Sequence, residues 1–127
     1  MSKEGFVLDT SALIAFLADE KESSAVLKVI HLSKIPFICL SELYYIVWHK
    51  KDRAEADRIY GVVKSWNLPI LYPNERVILN AGRIKVIYKL SIADSYIAAL
   101  SMDEGFPLVT KDRDYEILEQ EIKIMAL

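Results

Sequence analysis

Short apolar runs alternate along this chain with segments whose apolar residues recur every three or four positions, and several of the short runs end on an acid. Gly5-Phe6-Val7-Leu8 is apolar and partly β-branched, which predicts a buried strand ending at Asp9. Thr10 and Ser11 are N-cap types ahead of a helix over Ala12 to Leu17. Asp19 and Glu22 have capping-box spacing, and Ala25, Val26, Val29, Ile30 and Leu32 follow as a helical stripe. Pro36 opens a second apolar strand through Leu40, with Ser41 capping a helix to about Lys50. Asp52 and Glu55 repeat the capping pattern ahead of Ile59, Val62, Val63 and Trp66. Leu68 to Tyr72 predicts a third strand, Pro73-Asn74 a turn and cap, and Val77, Ile78, Ala81, Ile84 and Ile87 a helix over Glu75 to Tyr88. A further helix runs from near Ser91 to Gly105, a C′ glycine. Pro107 to Thr110 predicts a fourth strand, Tyr115 to Leu118 a helical turn, and Ile122 to Met125 a last edge strand.

Apolar strands alternating with helices imply a central parallel sheet of four to five strands with helices on both faces. Parallel strands share one carboxyl edge, where such folds bind ligands. Asp9, Glu42 and Asp112 fall at or just past predicted strand ends, and Asp94 lies in the first turn of a helix feeding the same edge. Carboxylates are rarely buried unless paired or metal-bound. Four at one edge therefore predict one convergent site.

Composition narrows the chemistry. The 127 residues suit one domain over 1–127, and 53% hydrophobic content supplies a sizeable core. A net charge of −2 excludes coating nucleic acid through bulk positive charge. Cys39 is the only cysteine, so no internal disulfide forms, and its apolar surroundings predict a buried thiol rather than a nucleophile. The start Met1-Ser2-Lys3-Glu4 lacks a signal-peptide pattern, and no apolar stretch reaches the ~20 residues of a membrane span. The expected compartment is the cytoplasm.

Two carboxylates about 4 Å apart repel by ~4 kcal/mol at an effective dielectric of about 20. Four in one pocket require either protonation or a cation. Oxygen-only ligands select hard cations, chiefly Mg²⁺ or Mn²⁺, and the chemistry that follows is metal-assisted phosphodiester hydrolysis. Each acid also has a structural reading. Asp94 stands three residues after Ser91 as in a capping box, Glu42 and Asp112 suit helix starts, and Asp9 suits a turn. Asp114, two residues from Asp112, is a reserve ligand, while Asp19, Glu20, Glu22 and the remaining acids read as solvated faces.

Phe6-Val7-Leu8-Asp9-Thr10-Ser11-Ala12-Leu13 resembles the opening motif of PIN-domain nucleases. Ser41-Glu42-Leu43, Ala93-Asp94-Ser95-Tyr96 and Leu108-Val109-Thr110-Lys111-Asp112-Arg113-Asp114 resemble its later motifs in order and spacing, over essentially the whole chain. The small size resembles VapC-type toxins of toxin–antitoxin pairs. The resemblance implies a three-layer PIN fold and a Mg²⁺- or Mn²⁺-dependent endoribonuclease whose acidic quartet is Asp9, Glu42, Asp94 and Asp112. Asp9 and Asp94 are then the first direct ligands, with Thr10 and Thr110 as hydroxyls orienting a ligand or water. It also implies an RNA substrate, a cognate antitoxin and a homodimer, with no membrane. Tyr115 departs mildly from the Phe that many relatives carry there.

Lys111 and Arg113 flank Asp112 and are candidate phosphate contacts, or else solvated partners of local acids. His31 and His49 lack companion ligands and read as structural or surface residues. Tyr44-Tyr45-Ile46-Val47-Trp48 holds more aromatic surface than one core-facing stripe uses, which leaves core packing or a partner-helix surface open. Haloacid-dehalogenase chemistry wants an Asp where Ser11 stands, and receiver domains want an acidic pair that Asp9 lacks. The remaining alternatives are an RNA-processing nuclease outside toxin–antitoxin systems and a non-catalytic PIN-like binding module.

Overall fold

A computed structural model describes residues 4–127. Five strands pair in the order β3-β2-β1-β4-β5, all parallel: β1 (Phe6–Leu8), β2 (Ser33–Pro36), β3 (Ile70–Leu71), β4 (Leu108–Thr110) and β5 (Ile124–Ala126). Between them run α1 (Thr10–Leu17), α2 (Ser23–Leu27), α3 (Phe37–Lys50), α4 (Arg53–Ser65), α5 (Glu75–Tyr88) and α6 (Ile92–Glu104), with 3₁₀ turns at Ile30–Leu32 and Arg113–Leu118. Successive strand residues face opposite sides of a sheet, so the complete burial of both Val7 and Leu8, and of both Leu108 and Val109, requires cover on both faces. The order has its switch point at β1, which pairs β2 on one side and β4 on the other. Asp9 follows β1 directly, so it emerges in the centre of the carboxyl edge, where such sheets form a crevice.

Locally signalled elements form as expected. Asp52 caps α4 by accepting from the Glu55 amide, Asn74 caps α5 by accepting from Val77, and Ser91 caps α6 by accepting from Asp94. Gly105 ends α6 at φ 71°, a conformation that favours glycine. Cys39 is buried, and His31 and His49 are exposed. No helix among the described residues is long and apolar enough to cross a membrane.

Four expectations are corrected. The run Pro36 to Leu40 is not a strand: β2 ends at Pro36, and Phe37 begins α3, so Ser41 caps nothing. An apolar run of five residues suits a strand or a buried helix equally, and Cys39, Leu40 and Leu43 turn out to be the core stripe of α3. The strand lies instead on Ser33-Lys34-Ile35-Pro36, whose polar members are satisfied by one local and one distant partner. Ser33 donates to the Val29 carbonyl at 2.8 Å, and Lys34 pairs with Glu104 at 2.6 Å. Asp19 and Glu22 form no capping box: Asp19 has φ 51°, Glu22 caps nothing, and the expected stripe divides into α2 and a 3₁₀ turn. The third strand shrinks from Leu68–Tyr72 to Ile70–Leu71, and the last shifts to Ile124–Ala126.

Candidate active site at the carboxyl edge of the sheet

Asp9 is only 4% exposed. It occupies the N-cap position of α1 without capping it; its side chain turns to hydroxyls instead. Oδ2 accepts from Ser11 Oγ at 2.8 Å and from Thr110 Oγ1 at 2.7 Å, and Oδ1 accepts from the Tyr115 hydroxyl at 3.4 Å. The Thr110 bond spans the crevice between β1 and β4. Hydrogen bonds to an ionised acceptor are the stronger kind, and such a set compensates part of the desolvation of the Asp9 carboxylate.

Glu42 lies in the second turn of α3, not at its start, because the helix begins earlier than its sequence suggests. Thr10 donates to its Oε1 at 2.7 Å, joining α1 to α3 at the site. Burial raises the Glu42 carboxyl above the usual carboxylate range; the charges of Asp9 and Asp94 push the same way, and the Thr10 bond opposes them. Asp94, in the first turn of α6, is raised chiefly by burial and further by Asp9 and Asp112, against the hydrogen bond from Tyr115. That bond runs from the Tyr115 hydroxyl to Asp94 Oδ1 at 2.9 Å. Tyr115 is wholly buried, and burial together with the two carboxylates pushes its phenol far up, so it stays a protonated donor.

Asp112 caps the 3₁₀ turn by accepting from the Asp114 amide at 2.8 Å. One carboxylate oxygen from each of Asp94, Asp112 and Asp114 lies within 4.8 Å of the others. Asp114 thus stands in the tightest acidic group, whereas sequence reading ranked it behind the quartet. Asp9 adjoins this trio through the Tyr115 hydroxyl, and Glu42 through the charges of Asp9 and Asp94 that act on it. None of the ion pairs among the described residues involves any of these five acids. An all-oxygen donor set without a basic partner fits a hard divalent cation.

The two basic candidates face elsewhere. Lys111 Nζ meets Glu20 at 2.9 Å and Glu22 at 3.2 Å, and Arg113 pairs with Glu116 at 3.0 Å. Glu22 has a side chain only 10% exposed, so it is not on a solvated face as its charged neighbourhood predicts. Two site residues escaped sequence reasoning. Ser11 figured as a helix-cap type and a motif position without a role at the acids, yet its hydroxyl binds Asp9 and accepts from the Lys111 amide at 2.9 Å. Tyr115 figured as a departure from Phe and as the start of a helical turn; a hydroxyl directly after an acidic pair was the available signal.

A parallel sheet of this order, with acids from β1, α3, α6 and the turn after β4 at one edge, defines an α/β fold with an acidic edge site. The chain belongs to the PIN-domain family, whose model matches residues 6–120. No curated protein matches it in sequence. Its fold is similar to that in a crystal structure of VapBC2 from Rickettsia felis bound to a promoter DNA fragment, with a TM-score of 0.78, 18% identity, and coverage of 96% of this chain and 98% of that one. A VapBC-5 structure from Mycobacterium tuberculosis, of the VapBC family of toxin–antitoxin systems, aligns at TM-score 0.75 and 21% identity over 99% of this chain and 100% of the other. PAE2754 from Pyrobaculum aerophilum aligns at 0.74 and 23% identity, over 98% and 90%.

Proposed function

We propose that this chain is a divalent-metal-dependent endoribonuclease and the toxin of a toxin–antitoxin pair. The observation that carries the reading is the convergence of Asp94, Asp112 and Asp114, beside Asp9 and Glu42, at the carboxyl edge of a PIN fold. Asp94, Asp112 and Asp114 would hold Mg²⁺ or Mn²⁺, with Asp9 and Glu42 binding directly or through water. A bound ion supplies charge neutralisation at the phosphodiester and an acidified water nucleophile. The chain's own groups supply the rest. Thr10 donates to Glu42 Oε1, which leaves Oε2 as the oxygen open to a bound ion or its water. Thr110 and Ser11 keep the Asp9 carboxylate in one orientation. Lys111 and Arg113 remain candidate RNA contacts only by leaving their present acidic partners.

Similarity to VapBC structures supports a cognate antitoxin partner, and a homodimer is part of the same proposal. A groove of about 330 Å³ has an apolar floor of Ile14, Leu17, Leu43, Ile46, Val47 and Ile59 and a charged rim that includes Glu20, Lys50, Lys51, Glu55 and Arg58, which suits an amphipathic partner segment, and Tyr45 and Trp48 are also exposed on α3. A reducing cytoplasm suits the buried free Cys39. Purified protein with Mn²⁺ or Mg²⁺ is expected to cleave RNA, with complete loss on chelation. Asp9→Asn and Asp94→Asn should each lower the rate by about 10²-fold or more, since even indirect metal partners are worth 10–100-fold. Intact RNA after incubation with metal-loaded protein points instead to a binding module.

A further inference from the structure

Among the acids of the site, Asp94 and Asp9 share one hydroxyl, that of Tyr115, at 2.9 and 3.4 Å. We propose that Tyr115 is a positioning residue of the metal site, whose hydroxyl sets the carboxylates of Asp94 and Asp9 in the orientation that lets them meet Asp112 and Asp114 around one divalent cation. The inference rests on the metal-dependent reading above.

Three observations carry it. Tyr115 belongs to the same 3₁₀ turn that contains Asp114 and is capped by Asp112, so its hydroxyl ties Asp94 and Asp9, from other elements, to the element holding Asp112 and Asp114. Its ring is fully buried, so the hydroxyl has one available position rather than a range. Asp94 needs that restraint. The terminal torsion of an Asp is broad, and repulsion from carboxylate oxygens within 4.8 Å favours rotation away from them. A donor fixed at Oδ1 sets the carboxylate plane and therefore the direction of its remaining lone pairs. Filling the core does not require the hydroxyl, because Phe occupies nearly the same space. The oxygen is the part left to explain, and its bonds go to site acids.

Tyr115→Phe isolates that oxygen. Mn²⁺ affinity is read from the electron paramagnetic resonance signal of the free aqueous ion, with thermal melting of chelated protein as the folding control. The variant is expected to melt cooperatively and to bind Mn²⁺ about 10- to 100-fold more weakly, the range for residues that orient a ligand. Its RNA cleavage should require correspondingly more Mn²⁺ and recover as Mn²⁺ is raised. Unchanged Mn²⁺ affinity in Tyr115→Phe overturns the inference while leaving the metal-dependent reading intact. Tighter binding also overturns it, by showing that the hydroxyl competes with the ion. Absence of Mn²⁺ binding by the unsubstituted protein overturns both.

Discussion

At the scale of single residues, the site is a set of acids whose mutual repulsion is only partly relieved. Burial and like charge raise the Asp94 and Glu42 carboxyls above their ordinary values of 3.8 and 4.5. A raised carboxyl makes the folded state bind protons that the unfolded state releases. In metal-free protein its stabilising contribution is complete below the unfolded value and is lost as pH rises through the folded one. Asn has no such cost and still accepts the Tyr115 hydroxyl. Asp94→Asn should therefore raise the melting temperature of chelated protein at pH 7, and the gain should vanish below about pH 4, where the unsubstituted carboxyl is protonated. Scanning calorimetry at both pH values decides it, and a variant less stable at pH 7 contradicts the sign. Acids with lowered values, such as Glu121 beside Arg83, act alike in both proteins and cancel. Asp9, Glu42, Asp94 and Asp112 were legible in the sequence as acids against apolar runs. Ser11 and Tyr115 were not, because a hydroxyl in an apolar setting carries no marker of the acceptor that folding brings to it.

At the scale of elements, legibility followed the range of the forces involved. α5 has its signals within itself: Asn74 as cap, an apolar stripe, and a last residue before a left-handed Lys89 at φ 60°. Its packing against α6 positions the helix that carries Asp94. Removing the cap bond from Asn74 to the Val77 amide at 2.9 Å tests this local term. Asn74→Ala should lose ~1 kcal/mol, or about 3–5 °C in melting temperature, in thermal or urea denaturation. The β2–α3 boundary had no such signal. Lys34 looks unlike a strand residue until Glu104, seventy residues on, pairs with it. Glu20 and Glu22 likewise looked solvated, because the Lys111 that holds them lies about ninety residues on.

At the scale of the whole molecule, the sheet order gathers the acids. β1 lies between β2 and β4, so residues after β1 and β4 face across one crevice, and α3 and α6 deliver Glu42 and Asp94 to it. If a divalent ion binds there, it stabilises the folded state alone. Added Mn²⁺ at neutral pH should raise the melting temperature progressively, corresponding to ~2.7 kcal/mol at a hundredfold excess over Kd. Asp94→Asn should flatten that rise, and a flat response in the unsubstituted chain removes the metal from the site. The sequence by itself determined the alternation of strands and helices, the parallel sheet and the identity of the four first-ranked acids, because periodicity, caps and misplaced charge are local properties. Only the tertiary structure decided that Glu42 sits in the second turn of α3 rather than at its start, that Asp114 joins Asp94 and Asp112, that Lys111 is held by acids outside the site, and that Tyr115 bridges Asp9 to Asp94. Those outcomes depend on which distant groups satisfy a buried charge or hydroxyl, and strand order sets that choice.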